Sequence, residues 1–301
     1  MVYHSHFPYP LLTGSFQLDI KAILNNLYAA RSTRHLANDP LSFCHRFAAP
    51  EDREIAGLVA SCLAYGNVKI ILRNLETVFA AMGPSPRLFV ERFEPEEGLR
   101  LFAGFKHRFN DGRDLCALLL AARTMIEEAD TIGDFFLGCH DPGAEDITSS
   151  LTEFSGAVLA FDYTPVFGGA IPDDSYFPFF FPSPASGSAC KRLCMYLRWM
   201  VRPADGIDLG VWKGVSPSQL IIPVDAHIRR ICRSLGFTKR KQADWRMARE
   251  ITAALRQLDP ADPVKYDFPL CHLGISEGCD GTVQPLCQEC PVVELCGAGA
   301  S

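Results

Sequence analysis

Helical periodicity constrains the fold of this chain more than any other feature. Asp225 is a typical helix N-cap and Gly236 a typical C-terminal residue. Between them, apolar residues recur at i, i+3, i+4 and i+7, the spacing that buries one face of a helix: Ile228, Ile231, Cys232 and Leu235. No alternating strand pattern of useful length and no internal repeat is present. The sequence therefore predicts an all-α fold.

The same pattern predicts the remaining helices and a division into two lobes. With 301 residues, of which 48% are hydrophobic, the chain can bury a large core. We expect one helical lobe over 45–200, and a second formed by 1–44 together with 201–301. Residues 162–187, rich in Pro, Gly and aromatic side chains, are predicted to be irregular. Helices are predicted over about 16–31, 53–64, 67–82, 86–92, 96–103, 111–128, 146–160, 188–200, 225–235, 244–257 and 264–274.

Charge and hydropathy bear on location and on partners. No apolar run approaches the roughly 18 residues of a membrane span, and residues 1–6 lack the charged start of a secretory signal. We therefore expect a cytosolic protein that does not enter a membrane. The chain carries a net charge of −6, but residues 185–246 hold twelve Lys and Arg against four acids, a net +8 that leaves −14 elsewhere. A basic zone on an acidic protein suits binding of a polyanion through one face, although a solvated charged surface is an equal alternative.

Four cysteines in the C-terminal tail predict a metal or cluster site. In a cytosolic chain, the twelve cysteines are not a disulfide framework. Zinc and a [4Fe–4S] cluster both accept four thiolates. A structural zinc site more often has two C-x2-C pairs, and only one is present here, so the spacing favours the cluster with zinc as the alternative. Cys271 is a spare cysteine on a helix. The predicted ligands, in the pattern C-x7-C-x2-C-x5-C, are Cys279, Cys287, Cys290 and Cys296.

These motifs together resemble one enzyme family. A lysine-bearing helix, then Pro-Val-Asp-x-His opening a helix (223–227), then a last helix and the cysteine tail is the order seen in the helix-hairpin-helix (HhH-GPD) DNA glycosylases of the endonuclease III and adenine-glycosylase type. The resemblance is specific over about 185–296 and weaker over 51–82. The chain also resembles a bacterial branch of that superfamily that is catalogued only as a domain of unknown function. The resemblance implies a two-lobed helical fold with a C-terminal [4Fe–4S] loop.

The resemblance also implies an activity and its residues. Asp225 matches the catalytic aspartate of the family, Lys191 its Schiff-base lysine, and the four tail cysteines its cluster ligands. The implied protein is a monomeric base-excision repair glycosylase with AP-lyase activity in the bacterial cytosol, acting on damaged double-stranded DNA. The hairpin before Lys191 keeps only Gly187 of the family's two glycines. Lys191 and Asp225 are also 34 residues apart (225 − 191), which is about twice the usual separation, so an insertion containing Trp212 must loop out.

Each predicted site residue has a functional and a structural interpretation. At the start of a helix and beside Arg192, the helix dipole and the neighbouring positive charge both favour the neutral amine of Lys191, which could attack a sugar. Lys191 could also be a solvated side chain. Asp225 could simply cap its helix. Tyr65, at a break between two helices, is the candidate DNA wedge. The candidate DNA contacts are Gly187, Ser188, Arg192, Arg229, Arg230, Lys239, Arg240 and Lys241. The alternative function is a non-catalytic iron–sulfur protein that recognises damaged or distorted DNA.

Overall fold

The structure, a computed structural model, describes residues 14–31, 35–275 and 277–297, so the predictions for residues 1–13 and 298–301 lie outside the described residues. A two-stranded antiparallel hairpin, β1 (Lys106–His107) and β2 (Asn110–Asp111), accompanies the helices. The helices are α1 Gly14–Arg31, α2 Pro50–Leu63, α3 Val68–Met82, α4 Pro86–Glu91, α5 Pro95–Leu101, α6 Gly112–Ala129, α7 Ile132–Gly138, α8 Thr148–Leu159, α9 Thr164–Phe167, α10 Lys191–Val201, α11 Ala226–Ser234, α12 Trp245–Leu258 and α13 Asp267–Ile275.

The mostly helical architecture confirms the all-α prediction, and every predicted helix has a counterpart whose ends differ by a few residues. Three features were missed. The hairpin β1–β2 and helix α7 are too short to show a period, and α7 is set by its N-cap Thr131, whose hydroxyl accepts from the Asp134 amide at 2.9 Å. The segment 162–187 was predicted to be irregular, but it contains the short α9 and 3₁₀ turns at Phe177–Phe180 and Pro184–Ser186.

Helix α2 lies at the centre of the core and packs closely on α10. All of its residues from Glu54 to Leu63 are buried. Gly57 allows the close approach, because a Cβ there would lie 2.5 Å from the Met200 Cε and 3.0 Å from the Tyr196 ring. The Tyr196 hydroxyl donates to the Glu54 carbonyl at 3.2 Å. This packing fixes the start of α10, and therefore Lys191, relative to the end of α2.

The insertion that contains Trp212 is packed into the core. The Trp212 ring is buried, lies edge-on to Tyr196 at 5.2 Å, and stacks on Phe136 at 5.5 Å. Its indole N–H donates to Glu54 at 2.6 Å, and the same carboxylate accepts from the amides of Ile132 and Gly133 at the start of α7. Burial raises the pKa of Glu54 to about 7, although these three donors oppose the shift. Trp212 is therefore a structural residue.

Helix α1 packs against α12 and α13, so the N-terminal part of the described chain meets its C-terminal part. The division into lobes over 45–200 and over 1–44 with 201–301 stays a prediction. Within the described ranges, no helix is both long enough and apolar enough to cross a membrane.

Candidate functional site

Three helices meet at one cleft of about 600 Å³. One side of α10, one side of α13 and the start of α11 line the cleft, beside the junction of α2 and α3. We call it the Lys191–Asp225 cleft, because both side chains line it despite their separation in sequence. The polar groups around it include Tyr65, Lys191, Asp225, Asp267, Cys271 and His272.

Lys191 is the first residue of α10 and is half-buried. The residue before it, Cys190, has φ 47° and ψ 31°, a left-handed conformation that residues with a side chain adopt at a cost. Cys190 is held there because its thiol donates to the carbonyls of Pro182 and Ser188, both at 3.3 Å. The Lys191 ammonium donates to the Ala64 carbonyl at the end of α2, at 3.1 Å. The hairpin turn therefore directs this lysine into the cleft.

Asp225 uses its two carboxylate oxygens differently. Its Oδ1 accepts from the amides of His227 and Ile228, both at 2.8 Å, which is the N-cap that the sequence predicted. Its Oδ2 accepts instead from the Cys271 thiol at 3.5 Å. One oxygen therefore caps α11, while the other lies among the side chains of the cleft.

Cys271 belongs to this cleft and does not line the cavity of the four tail cysteines. Burial raises the pKa of its thiol well above the ordinary value, and the neighbouring charges of Asp225 and Asp267 act in the same direction. The thiol is therefore a neutral hydrogen-bond donor at physiological pH. Sequence reasoning treated Cys271 only as a spare ligand, and nothing in its spacing indicated the contact with Asp225.

Buried ion pairs form the floor of the cleft. Arg198 pairs with Asp267, and with Asp208 at 3.2 Å, and all three side chains are buried. Burial raises the pKa of Asp267 to about 7, with Arg198 opposing the shift. Arg202 continues the network by pairing with Asp208 and, at 2.9 Å, with Asp262. The sequence analysis counted Arg198, Arg202 and Asp208 only as members of the charged segment 185–246, and it did not show that they pair beneath the site.

His227 packs directly on helix α13. A Cβ at Gly274 would lie 2.3 Å from the His227 Nδ1, so only glycine fits at that position. The same nitrogen accepts from the Arg230 guanidinium at 2.9 Å. Burial lowers the pKa of His227, and the charges of Arg230 and Lys191 lower it further, against the opposing effect of Asp225. The imidazole is therefore neutral near pH 7 and helps to fix α11 against α13.

Tyr65 lines the cleft, but its hydroxyl is tethered. It donates to the His107 carbonyl at 2.9 Å and contacts the Asn110 side chain. Its ring lies edge-on to Phe179, with 5.8 Å between centroids. In this arrangement Tyr65 is a wall of the cleft, and it would have to leave both partners to enter a DNA helix.

Six of the eight predicted DNA contacts lie in one region of the structure, formed by the hairpin before α10 and the basic turn before α12. Gly187, with φ 79°, is exposed at the hairpin, and Ser188 pairs with Asp244 at the start of α12. Asp244 also pairs with Arg240 at 2.7 Å, so the hairpin lies beside the basic turn Lys239–Lys241, in which both lysines are exposed. Arg229 also belongs here, since it donates to the Lys241 carbonyl at 3.4 Å.

Arg230 and Arg192 lie elsewhere. Arg230 donates to the Cys279 carbonyl at 3.1 Å and so connects α11 to the cysteine tail. Arg192 is only 5% exposed, and its guanidinium donates to the carbonyls of Cys62 and Phe179. The prediction that Arg192 contacts DNA is therefore wrong, because a buried guanidinium cannot reach a phosphate. The sequence could not reveal this, since Arg192 follows Lys191 directly at the start of the helix.

The four tail cysteines line one small cavity, together with Ile231 of α11, Leu235 just after it, and Leu273 of α13. We call residues 277–297 the cysteine loop. Burial raises the pKa of Cys290, and the charges of the other three thiols of the cavity act in the same direction. The Gln284 amide donates to the Cys287 sulfur at 3.4 Å. This donor set and apolar lining fit an iron–sulfur cluster.

Within the described residues, no group of three or more His, Cys, Asp or Glu side chains is arranged as the ligands of a metal ion. A shared cavity places the thiols around one space, whereas coordination of a single ion requires them all within bonding distance of one point. The cluster and its zinc alternative therefore remain proposals.

Comparison with known proteins identifies a family and no activity. Residues 39–276 match the family described as "Protein of unknown function (DUF2400)", and the chain belongs to that family. No curated protein and no solved structure matches the chain at a significant level. The matched range includes Lys191, Asp225 and Cys271 but ends before the cysteine loop.

Proposed function

We propose that this protein is a DNA N-glycosylase with AP-lyase activity on damaged double-stranded DNA, with Lys191 as the nucleophile and Asp225 as its electrostatic partner. The observation that carries the proposal is that both side chains line one cleft, although 34 residues (225 − 191) separate them in the chain. Its volume of about 600 Å³ lies within the range of small-ligand sites, and so suits a single extruded nucleotide.

Asp225 and Lys191 would act in sequence. When the base leaves with the electrons of its C1′–N bond, the sugar becomes positively charged, and the Asp225 Oδ2 could stabilise that charge. The Lys191 amine, after losing a proton to Asp225 or to water, could then bond to C1′ and open the ring to an imine. Loss of a C2′ proton with departure of the 3′ phosphate would cleave the strand. Electrostatic stabilisation of the kind proposed for Asp225 is worth about 2.7–4 kcal/mol in comparable sites.

The surface beside the cleft offers phosphate contacts. We assign this role to Gly187 and Ser188 of the hairpin and to Lys239 and Lys241 of the basic turn, because the pairing of Ser188 with Asp244 brings these two segments together. Arg229, which contacts the turn, extends the same surface.

The cysteine loop would hold a [4Fe–4S] cluster through Cys279, Cys287, Cys290 and Cys296. Bound there, the cluster supplies folding free energy to a loop that has few buried residues of its own. The visible spectrum of freshly purified protein tests this assignment. A broad shoulder in the blue supports the cluster, whereas a colourless protein that contains stoichiometric zinc contradicts it.

Borohydride trapping tests the lyase directly. Duplex oligonucleotides that contain an abasic site or an oxidised base should give a covalent adduct with the wild-type protein, and Lys191→Gln should give none. Lys213→Gln is the matched control, because Lys213 is exposed and lies outside the cleft lining. Failure of the wild-type protein to form an adduct on a full panel of lesions would contradict the proposal.

A second candidate function is a non-catalytic protein that binds damaged or distorted DNA. It is favoured by the hydrogen bond from the Lys191 ammonium to the Ala64 carbonyl, since a purely structural lysine would make the same contact. This alternative predicts an affinity whose logarithm falls linearly with the logarithm of salt concentration. It also predicts unchanged binding by Asp225→Asn, with no turnover in either form.

A further inference from the structure

Three exposed aromatic side chains form one patch beside the cleft. Phe109 lies at the tip of the β1–β2 hairpin, and Tyr176 and Phe179 lie at the 3₁₀ turn near Phe177–Phe180. Their exposed fractions are 49%, 44% and 48%. The Phe109 and Tyr176 rings stack at 5.0 Å with an angle of 19° between their planes. We call these three residues the aromatic shelf. Phe179 is one turn from Tyr176, and its amide donates to the Tyr176 carbonyl at 3.1 Å. A group of large exposed rings is uncommon on a folded protein and typically marks a binding surface.

One buried carboxylate, that of Asp114, connects the two segments that carry the shelf. Asp114 accepts from the Asn110 side chain at 3.0 Å on one oxygen and from the Ser175 hydroxyl at 2.7 Å on the other. These two bonds join the hairpin that carries Phe109 to the segment that carries Tyr176. Because the rings are already positioned, a ligand that stacks on them loses little side-chain entropy.

The shelf is continuous with the Lys191–Asp225 cleft. Phe179 meets Tyr65, which lines the cleft. The Arg108 guanidinium lies between the two sites, 5.4 Å from the Phe109 centroid and 5.9 Å from the Tyr65 centroid. Lys106, on the same hairpin, is exposed. The boundary between shelf and cleft is therefore aromatic and cationic.

Charge gives the shelf a direction. Asp173 and Asp174 are exposed on the segment that carries Tyr176, whereas Lys106 and Arg108 are exposed on the hairpin that carries Phe109. A polyanionic backbone would therefore approach from the Arg108 side, and its planar groups would cover the rings. Single-stranded nucleic acids bind proteins in this way, through a cationic track and aromatic side chains on which bases stack.

We propose that the aromatic shelf binds unpaired nucleobases next to the cleft, so that the preferred ligand is a nucleic acid with an unpaired stretch beside the reacting nucleotide. This inference rests on the proposed function in one respect: it assumes that the ligand of the cleft is a nucleic acid. Because stacking does not depend on base identity, the shelf should bind with little sequence preference.

A short single-stranded oligothymidylate that contains one 2-aminopurine tests the proposal, since stacking on a ring quenches 2-aminopurine fluorescence. In titrations at fixed salt, Phe109→Leu and Phe179→Leu should each weaken binding about 5- to 100-fold and reduce the quenching, because leucine keeps apolar area but has no π face. Phe109→Trp should retain both signals. Leu88→Ala, which removes an exposed apolar residue outside the shelf, should bind as the wild-type protein does.

Two results would overturn the proposal. Wild-type affinity and quenching in Phe109→Leu would exclude base stacking. If affinity for the oligonucleotide were retained in Phe109→Leu but lost in Phe109→Ala, the shelf would contribute apolar contact and not base stacking. A site of that kind would suit a protein partner. Circular dichroism of each variant verifies that it is folded. Probe binding and borohydride trapping are measured separately, so a shelf that binds the probe while trapping fails would contradict the lyase alone, and the reverse result would contradict the shelf alone.

Discussion

The Lys191–Asp225 cleft and the cysteine loop are held together in different ways. The cleft lies between helices α10, α11 and α13, which are distant in the chain. Beneath it are the buried ion pairs between Arg198 and two aspartates, Asp208 and Asp267. The cysteine loop, residues 277–297, consists of two short 3₁₀ turns, and Val292 is its one buried residue. Its backbone attachments to the helices are few: the Glu277 amide to the His272 carbonyl at 3.3 Å, the Cys279 amide to the Leu273 carbonyl at 3.1 Å, and the Gly297 amide to the Ser234 carbonyl at 2.8 Å. The Arg230 side chain adds a contact with Cys279.

The difference indicates where each region obtains its stability. The cleft can form from the packing of the chain itself, because its side chains are anchored in buried helices. The cysteine loop buries little apolar surface to offset the entropy of ordering its residues, so under the proposed function a group bound by its thiols would supply the missing stability. Changes to the cleft should therefore alter global stability or chemistry, while changes to the loop should act locally.

Arg198→Met should have the largest effect on stability. It leaves the buried Asp267 without its cationic partner and weakens the pairing of Asp208, so we expect a loss of about 3–5 kcal/mol in the free energy of unfolding. Denaturant titration measures this loss. The double variant Arg198→Met/Asp267→Asn should recover part of it, because the uncompensated charge is gone. A single variant as stable as the wild-type protein would show that the cleft floor does not hold this region.

Asp225→Asn should preserve the cleft and reduce base excision by about 10²- to 10³-fold, equivalent to about 2.7–4 kcal/mol of transition-state stabilisation. Asparagine is as good an N-cap as aspartate, so α11 should remain intact. Single-turnover kinetics on a lesion-containing duplex measures the change. Asp111→Asn, which alters the N-cap of α6 outside the cleft lining, should leave the rate unaffected. An equal loss in both variants would mean that only helix capping had been disturbed.

Cys287→Ser should act on the cysteine loop alone. Removal of one thiolate should abolish the blue absorption and increase hydrogen exchange within 277–297 by at least about tenfold, or about 1.4 kcal/mol. Exchange in α10 should change little. Cys139→Ser, which replaces a half-buried cysteine outside the loop cavity, is the matched control. If loosening spread equally to α10, the two regions would not be independent.

Cys271→Ala should have the smallest effect. It removes a single thiol donor from the Asp225 Oδ2, so we expect a decrease in excision rate of about fivefold, consistent with a net hydrogen-bond contribution of about 1 kcal/mol. Cys271→Ser, which restores a donor, should recover most of the rate. Blue absorption should be unchanged in both variants, because Cys271 does not line the loop cavity. Loss of absorption would instead make Cys271 a ligand of the cluster.

Local patterns were sufficient to predict the helices and the Asp225 cap. The periodicity around 225–235 and an acceptor side chain before it are short-range signals, and the structure has both. The same reasoning misplaced Arg192, because helix propensity does not say which side of a helix start faces the core. It also missed the β1–β2 hairpin, where two-residue strands carry no period, and therefore missed the position of Phe109.

The sequence by itself determined that this chain is mostly helical and where most of its helices begin and end to within a few residues. The tertiary structure decided that Lys191 and Asp225 line one cleft, that Cys271 contacts Asp225, and that the four tail thiols surround one cavity. The reason is physical. Helix periodicity and capping depend on neighbours within four residues, whereas a cleft depends on how helices pack, which close contacts such as those at Gly57 and Gly274 fix over long separations in sequence.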